Sequence, residues 1–443
     1  MNKKNIWIAA SCLMMATLLL ASCASASTEG EKVTKEEEVT KEEVTTEEEE
    51  EVIVAPEEEE EVQSTSTPSP PASRTYIITW EDDIQITDTG APSFYPTLGL
   101  GKSTIHLAWV DQRHEGQNRE IYYNRSNDNG ATWRDSDTRI SNDPLFSIRT
   151  AFAVYGDIVH LFWRDNRDGN FEDYFAQSTN GGFVWGPEAR ITDDPGLSGC
   201  PFPVVDGDTL NLFFRDNRTG TFNIYQKRSI DAGVTWSEDI LLTPNGIKAE
   251  FPFPAINGDT IHLVWRDTRD VNAEIYYKRS IDGGVSWTAD ERLTNDPGES
   301  EHPKIVVQGS NLHIVWRDDR DGSYEIYYKK STDGGYSWSQ DMRLTRNPGQ
   351  SFWPVLVVSD DLVHLMWCDE RDGSQGLYYT FSSDNGDTWN DEIRLTDYTL
   401  PLDADVMGAH PFVISEPYIH VVFNDDRTGE NEIYYKRGVI SSQ

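Results

Sequence analysis

Short apolar runs separated by turn residues repeat along most of the chain, about every fifty residues from near Tyr95 to near Arg437. One unit shows the pattern. Lys304-Ile305-Val306-Val307 is followed by a turn and then His313-Ile314-Val315-Trp316. The loop Asp318-Asp319-Arg320-Asp321-Gly322 leads into Glu325-Ile326-Tyr327-Tyr328-Lys329. Ser331-Thr332-Asp333-Gly334-Gly335-Tyr336-Ser337-Trp338 then precedes Arg343-Leu344-Thr345. β-Branched and aromatic runs bounded by Gly, Asp and Asn predict strands. Helical periodicity is absent outside the N-terminal leader. Four short antiparallel strands per unit, repeated at this period, predict an all-β chain folded as a β-propeller of four-stranded antiparallel blades.

The blade count comes from two markers. Asp-x-Arg loops follow the second strand at Asp111, Asp165, Asp216, Asp267, Asp318, Asp369 and Asp425. Ser-x-Asp-x-Gly-x-Thr/Ser-Trp segments follow the third strand at Ser126, Ser178, Ser229, Ser280, Ser331 and Ser382, the second degenerate at Asn180 and Val184. Seven loops and six segments leave one blade short of its fourth strand. Thr79-Trp80 with Ile84-Gln85-Ile86-Thr87 matches Thr388-Trp389 with Ile393-Arg394-Leu395-Thr396. The N-terminal strand is therefore expected to complete the last blade and close a seven-bladed ring, which removes open sheet edges.

The Ser-x-Asp-x-Gly-x-Thr-Trp segments resemble Asp boxes, the bacterial neuraminidase repeats of sialidases, xyloglucan-hydrolysing propellers, sortilin-type receptors and photosystem assembly factors. The resemblance implies a hairpin turn between strands three and four, on the side of the propeller opposite the usual binding face. Turn chemistry agrees: Asp bonds turn amides, Gly supplies φ > 0 and Trp packs beneath. Sialidase activity is not implied, because the Phe/Tyr-Arg-Ile-Pro segment of sialidases is missing.

Charge and composition add a leader and a tether. Lys3 and Lys4 precede a largely apolar run from Ile6 to Leu20, too short for a comfortable membrane span. Leu20-Ala21-Ser22-Cys23 resembles a lipobox, which implies cleavage before Cys23 and a lipid on its thiol; an ordinary signal cleaved after Ala24-Ser25-Ala26 is the alternative. Residues 24–75 are rich in Glu, Thr, Ser and Pro and poor in aromatics, the composition of a solvated spacer. The chain is thus expected to divide into a lipoprotein signal peptide over 1–23, an acidic tether over 24–75 and the propeller over 76–443. The expected location is the bacterial cell envelope, outside the cytoplasm, with the membrane reached through the lipid.

The formal net charge is −38. Removing the net −14 of residues 28–63 and the +2 of Lys3 and Lys4 leaves −26, so the propeller itself is acidic, which argues against a nucleic-acid partner. Cys200 and Cys368 lie three repeats apart, so no disulfide is expected. The closed ring is expected to be a monomer.

The repeated polar residues read as structure. Arg320 and Glu325 flank a loop and are expected to pair across its base, with the Asp tying turn amides. Calcium at Asp318, Asp321 and Glu325 is a minor alternative, and no other cofactor is expected. The strand histidines His106, His160, His262, His313, His364 and His420 and the tyrosine pairs read as satisfied interior residues.

Positions where the repeats disagree are better functional candidates. The residue before the strand-one proline, which Thr150 replaces in blade two, runs Tyr95, Arg149, Cys200, Phe251, His302, Trp353 and His410, at the expected rim of the central channel. His114 also breaks the repeat. Tyr95, His114, Arg149, Phe251, His302, Trp353 and His410 form the expected ligand-binding set. The longer loops at 114–118 and 398–409 place irregularity in blades seven and one. The leading expectation is a propeller that binds a carbohydrate or protein ligand opposite the Asp boxes. A glycoside hydrolase using Asp403 or Asp405 with Glu301 is the second, and a scaffold for another exported protein the third.

Overall fold

The computed structural model describes residues 74–114, 118–244, 247–397 and 410–442. The leader, Cys23, most of the tether, Asp403 and Asp405 lie outside them. The described residues form seven antiparallel sheets and no helix: six of four strands, and a last one joined by both N-terminal strands. This is the seven-bladed propeller. The first strands of neighbouring blades touch all round the ring, so they line its axis.

Closure follows the expected match. Tyr76–Trp80 pairs with the extended last strand, Trp80 opposite Gly438, and Ile84–Gln85 pairs with Tyr435 and Tyr434. Trp80 packs edge-on against Tyr379 at 5.2 Å, as Trp389 packs on Tyr328 at 5.3 Å and Trp338 on Tyr277 at 5.1 Å. Trp80 therefore takes the place of the Asp-box tryptophan that the last blade lacks.

Each second strand is buried on both faces because a blade lies on either side. Ile105–Asp111 is buried throughout, and Trp109, Trp163, Trp265, Trp316 and Trp367 are fully buried. The inter-blade cores carry a repeated polar tie. The strand histidine meets the tyrosine hydroxyl of strand three, at 2.7 Å for His106–Tyr123, 2.8 Å for His262–Tyr277 and 2.6 Å for His313–Tyr328. That hydroxyl fills the space beside the next blade's Asp-box glycine: a Cβ on Gly182 would overlap Tyr123, and one on Gly335 would overlap Tyr277. Only glycine admits this approach, so the box and the histidine–tyrosine pair lock adjacent blades together.

The Asp boxes are turn devices. Asp282 Oδ1 accepts from the amides of Val285 and Ser286, at 3.1 and 2.8 Å, and its other oxygen accepts from Ser286 Oγ. These donors hold Asp282 down at about 2.

The Asp-x-Arg loops differ from expectation in one respect. Arg320 does not pair with Glu325. It grips Asp318 with two nitrogens, at 2.8 and 2.6 Å, and reaches Asp341 before strand four at 2.9 Å. Glu325 instead accepts from Arg343 and Thr345, both at 2.6 Å. The fork geometry of the guanidinium favours the nearby carboxylate two residues back. The expected tie to the turn is present, Arg320 N donating to Asp318 Oδ1 at 3.0 Å. Asp318 also accepts from Ser300 and Trp316. Burial alone would raise its pKa, but Arg320, Ser300 and Trp316 together hold it below the usual range. Asp321 accepts from Tyr327 and Arg343. The three carboxylates considered for calcium thus have protein partners. Among the described residues, no group of three or more His, Cys, Asp or Glu could hold a metal ion.

Candidate binding site

Strand three runs from the Asp-x-Arg loop to the Asp box, so these two features mark opposite faces of the ring. At the loop face, six first strands carry a bulge just after their second or third residue. The residue at each bulge lies in the left-handed region: Tyr95 at φ 51°, Arg149 at 58°, Cys200 at 60°, Phe251 at 55°, His302 at 53° and Trp353 at 50°. None is glycine, so each costs about 1–3 kcal/mol. Bulges re-aim side chains. Because the same bulge accepts Tyr, Arg, Cys, Phe, His and Trp, the fold sets the backbone and leaves the side chain free to vary.

Some of the expected set is brought together. Phe251 and His302 pack at 4.5 Å between ring centroids. His410 reaches Phe253 at 5.4 Å. Blades four and seven stand nearly opposite in a seven-membered ring, so this contact crosses the channel. Phe202 meets Phe253 at 5.4 Å, and the Lys304 ammonium lies 3.9 Å from the Phe253 ring centre. These four side chains plug the axis. Toward the box face, an apolar cavity of about 330 Å³ continues, walled by residues including Leu100, Ile256, Val307, Val358 and Ile414. Burial, with Lys304 adding to it, lowers His410 to about 3, so its imidazole is neutral.

His114 is not part of this cluster. It bonds Tyr122 at 2.6 Å, the place that Asp270 takes on Tyr276 and Asp321 on Tyr327 in other blades. In blade five the same loop position is tied to the strand-four arginine, Arg343. His114 thus belongs to the outer half of its blade, away from the axis. Glu301 does join the mouth, though its expected companions Asp403 and Asp405 lie outside the described residues.

A further group was not singled out from the sequence. The residue before the Asp of Asp-x-Arg is Arg164, Arg215, Arg266 and Arg317 in blades two to five, but Val110, Cys368 and Asn424 elsewhere. Each arginine sits opposite the residue preceding the bulge: Ile148, Gly199, Glu250 and Glu301. The result is a charged arc over four consecutive blades. Arg215 bonds Glu250 at 2.6 Å; Arg266 joins Glu250 at 3.3 Å to Glu301 at 2.9 Å; Arg317 bonds Glu301 at 2.6 Å. Arg164 lies over Phe171 at 4.0 Å, Arg215 over Phe222 at 4.8 Å and Arg317 over Tyr324 at 4.4 Å. Burial pushes Glu301 up, but Arg317 outweighs it and holds the carboxylate below its ordinary range.

Under this arc lies another departure. Strand three reads Ile or Leu at Ile121, Ile224, Ile275, Ile326, Leu377 and Ile433, but Asp173 in blade two. Asp173 is fully buried, and neither carboxylate oxygen has a hydrogen-bond partner among the described residues. Burial raises it well above the usual range, with Arg164 opposing. Arg164 crosses toward blade three, where a Cβ on Gly199 would collide with it.

The box face is different in character. Phe183, Ile230, Val234, Ile281, Val285 and Tyr336, all in the boxes of blades two to five, are exposed.

A seven-bladed Asp-box propeller with a charged, aromatic-walled mouth defines the class. The BNR repeat-like domain model matches residues 172–399, just over half the chain, and the chain belongs to that family. No curated protein matches it. Solved structures of similar fold include the phage phi92 endosialidase, 11% identical over 82% of this chain and 69% of that one, with a TM-score of 0.50. The α-L-arabinofuranosidase of Fusarium graminearum is 16% identical over 68% of this chain and 98% of that one, TM-score 0.47. Trypanosoma rangeli sialidase is 13% identical over 66% of this chain and 54% of that one, TM-score 0.45. At these identities the likeness is one of fold.

Proposed function

We propose that this protein binds an acidic carbohydrate at the face opposite its Asp boxes, over blades two to five. The observation that carries the reading is the arc of Arg164, Arg215, Arg266 and Arg317, present where the repeat does not require it. Guanidinium groups fit carboxylate and sulfate groups bidentately. Phe171, Phe222 and Tyr324 supply flat apolar surface beside them. Glu250 and Glu301 add acceptors for hydroxyl groups. Membership in the BNR repeat-like family supports a carbohydrate ligand. A glycan array probed with the full chain, alongside Arg164→Ala and Arg317→Ala, tests this. Acidic glycans should bind and both variants should lose them; binding that survives in both would end the reading.

Hydrolysis is a second reading, favoured by one observation: Glu250 and Glu301 both contact Arg266. Two carboxylates about 5–10 Å apart could act as a catalytic pair. Arg317 keeps Glu301 ionised, which suits a base or nucleophile and not the acid that a glycosidase also needs. Release of reducing sugar by the wild type and not by Glu301→Gln would favour this reading.

We also infer an envelope lipoprotein. The leader's Lys3 and Lys4, its apolar run and Leu20-Ala21-Ser22-Cys23 support this reading. Membrane fractionation of Cys23→Ser against wild type tests the anchor.

A further inference from the structure

One arginine of the arc has an acid beside it on its own sheet, and the other three do not. Strands two and three pair Arg164 with Asp173, where Arg215, Arg266 and Arg317 face Ile224, Ile275 and Ile326. Directly opposite residues share a face of the sheet, with Cβ atoms about 4.5–5.5 Å apart, within the reach of an arginine. The next blade shows the converse. Arg215 and Arg266 each reach a glutamate there, Glu250 and Glu301, whereas the matching residue for Arg164 is Gly199. For Arg164 the acid has moved from the neighbouring blade to the arginine's own sheet.

In the structure Arg164 does not bond that acid. Its Nε donates to Ser198 O at 3.1 Å, and its guanidinium lies 4.0 Å from the centre of the Phe171 ring. Gly199 makes room for this pose, since a Cβ there would collide with Arg164. Both Asp173 oxygens are buried and have no hydrogen-bond partner among the described residues. A buried carboxyl without a partner costs stability, so the acid stands here against the preference of the fold. Burial raises Asp173 well above the usual carboxylate range; Arg164 and Arg215 oppose the rise, and Glu172 and Asp216 add to it. Burial likewise lowers Arg164, Cys200 and Asp173 opposing and Arg215 and Arg149 adding to the fall.

We propose that Asp173 is a positioning residue for Arg164: it offers the guanidinium a second seat inside the blade and so sets how far Arg164 is presented to a ligand. An ionised Asp173 draws Arg164 inward by a charge-assisted hydrogen bond. A protonated Asp173 releases it toward Phe171 and the mouth. Arg164 therefore withdraws as pH rises. The part of Asp173 in binding rests on the acidic-carbohydrate reading above, but the two seats of Arg164 do not.

The test follows Arg164 in the full-length protein without any glycan. Phenylglyoxal modifies accessible guanidinium groups, and mass spectrometry reads the rate at Arg164 relative to Arg215, which faces Ile224. The ratio cancels the reagent's own dependence on pH. In the wild type it should fall at least threefold between about pH 5 and about pH 9. In Asp173→Ile, which restores the residue type of the other blades, it should stay at the wild-type low-pH value throughout. Asp173→Asn, which keeps the shape and does not ionise, should do the same. A merely structural acid would move the unfolding midpoint and not this ratio.

A ratio independent of pH in the wild type would overturn the proposal, as would a fall that persists in Asp173→Ile and Asp173→Asn. The expected pattern together with failure of every acidic glycan on the array would uphold the two seats and count against the arc as a binding site.

Discussion

Asp173 shows how one residue departs from a repeat. Six blades place Ile or Leu at this buried position, and here an acid lies with no hydrogen-bond partner among the described residues. Burying a polar group without a hydrogen bond costs about 1–3 kcal/mol, which a fitted apolar side chain removes. Asp173→Ile should therefore raise stability by about 1–3 kcal/mol in urea unfolding; a lower midpoint would show that the carboxylate supports the fold. Residues of this kind were legible in the sequence only in part. The ring of Tyr95, Arg149, Phe251, His302 and Trp353 was visible because a proline, replaced by Thr150 in blade two, marks its register. Arg164, Arg215, Arg266 and Arg317 were equally present as letters. They stood next to a motif that recurs in every blade, and their relation to Glu250 and Glu301 appears only when strands one and two are paired. Lys304 was hidden because strand one reads as an apolar run. His114 broke the repeat in type but not in role, since it bonds the tyrosine that an aspartate bonds elsewhere.

At the scale of the element, the ring closes through a strand remote in sequence from its blade. Trp80 packs on Tyr379 and lies over Gly438, doing for blade seven what Asp-box tryptophans do for other blades. Loss of a large aromatic from a packed site costs about 3–5 kcal/mol when fully buried, and Trp80 is half-buried. Trp80→Ala should cost about 2–3 kcal/mol in urea unfolding and increase self-association, because the last sheet edge is loosened. An unchanged midpoint would mean that closure lies elsewhere. Blade number and closure were legible because aromatic and turn markers recur at fixed spacing. The Arg–Glu pairing was misassigned because two acids compete for each arginine, and only geometry decides between them.

Across the whole molecule, the histidine ties make the ring sensitive to acid. Burial lowers His106, His364 and His420 to about 3 and His262 and His313 to about 4, against 6.5 for a free imidazole. The unfolded chain thus binds these protons first, and protonation favours unfolding. Their contribution is complete above about pH 6.5 and is lost progressively as pH falls toward 3–4. The Asp-box carboxylates, with Asp282 at about 2, withdraw stability only below about pH 4. The melting temperature should begin to fall near pH 6.5; a profile flat down to pH 4.5 would show that the histidines do not control it.

The central claim is that the two faces differ in role: one builds the ring and the other binds. Isothermal titration of the best acidic glycan from the array compares Arg317→Ala, on the arc, with Arg279→Ala, which supports the neighbouring Asp box through Gly334. The account predicts at least a tenfold loss of affinity in Arg317→Ala and wild-type affinity in Arg279→Ala. Equal affinity in Arg317→Ala and wild type, or a loss confined to Arg279→Ala, would contradict it.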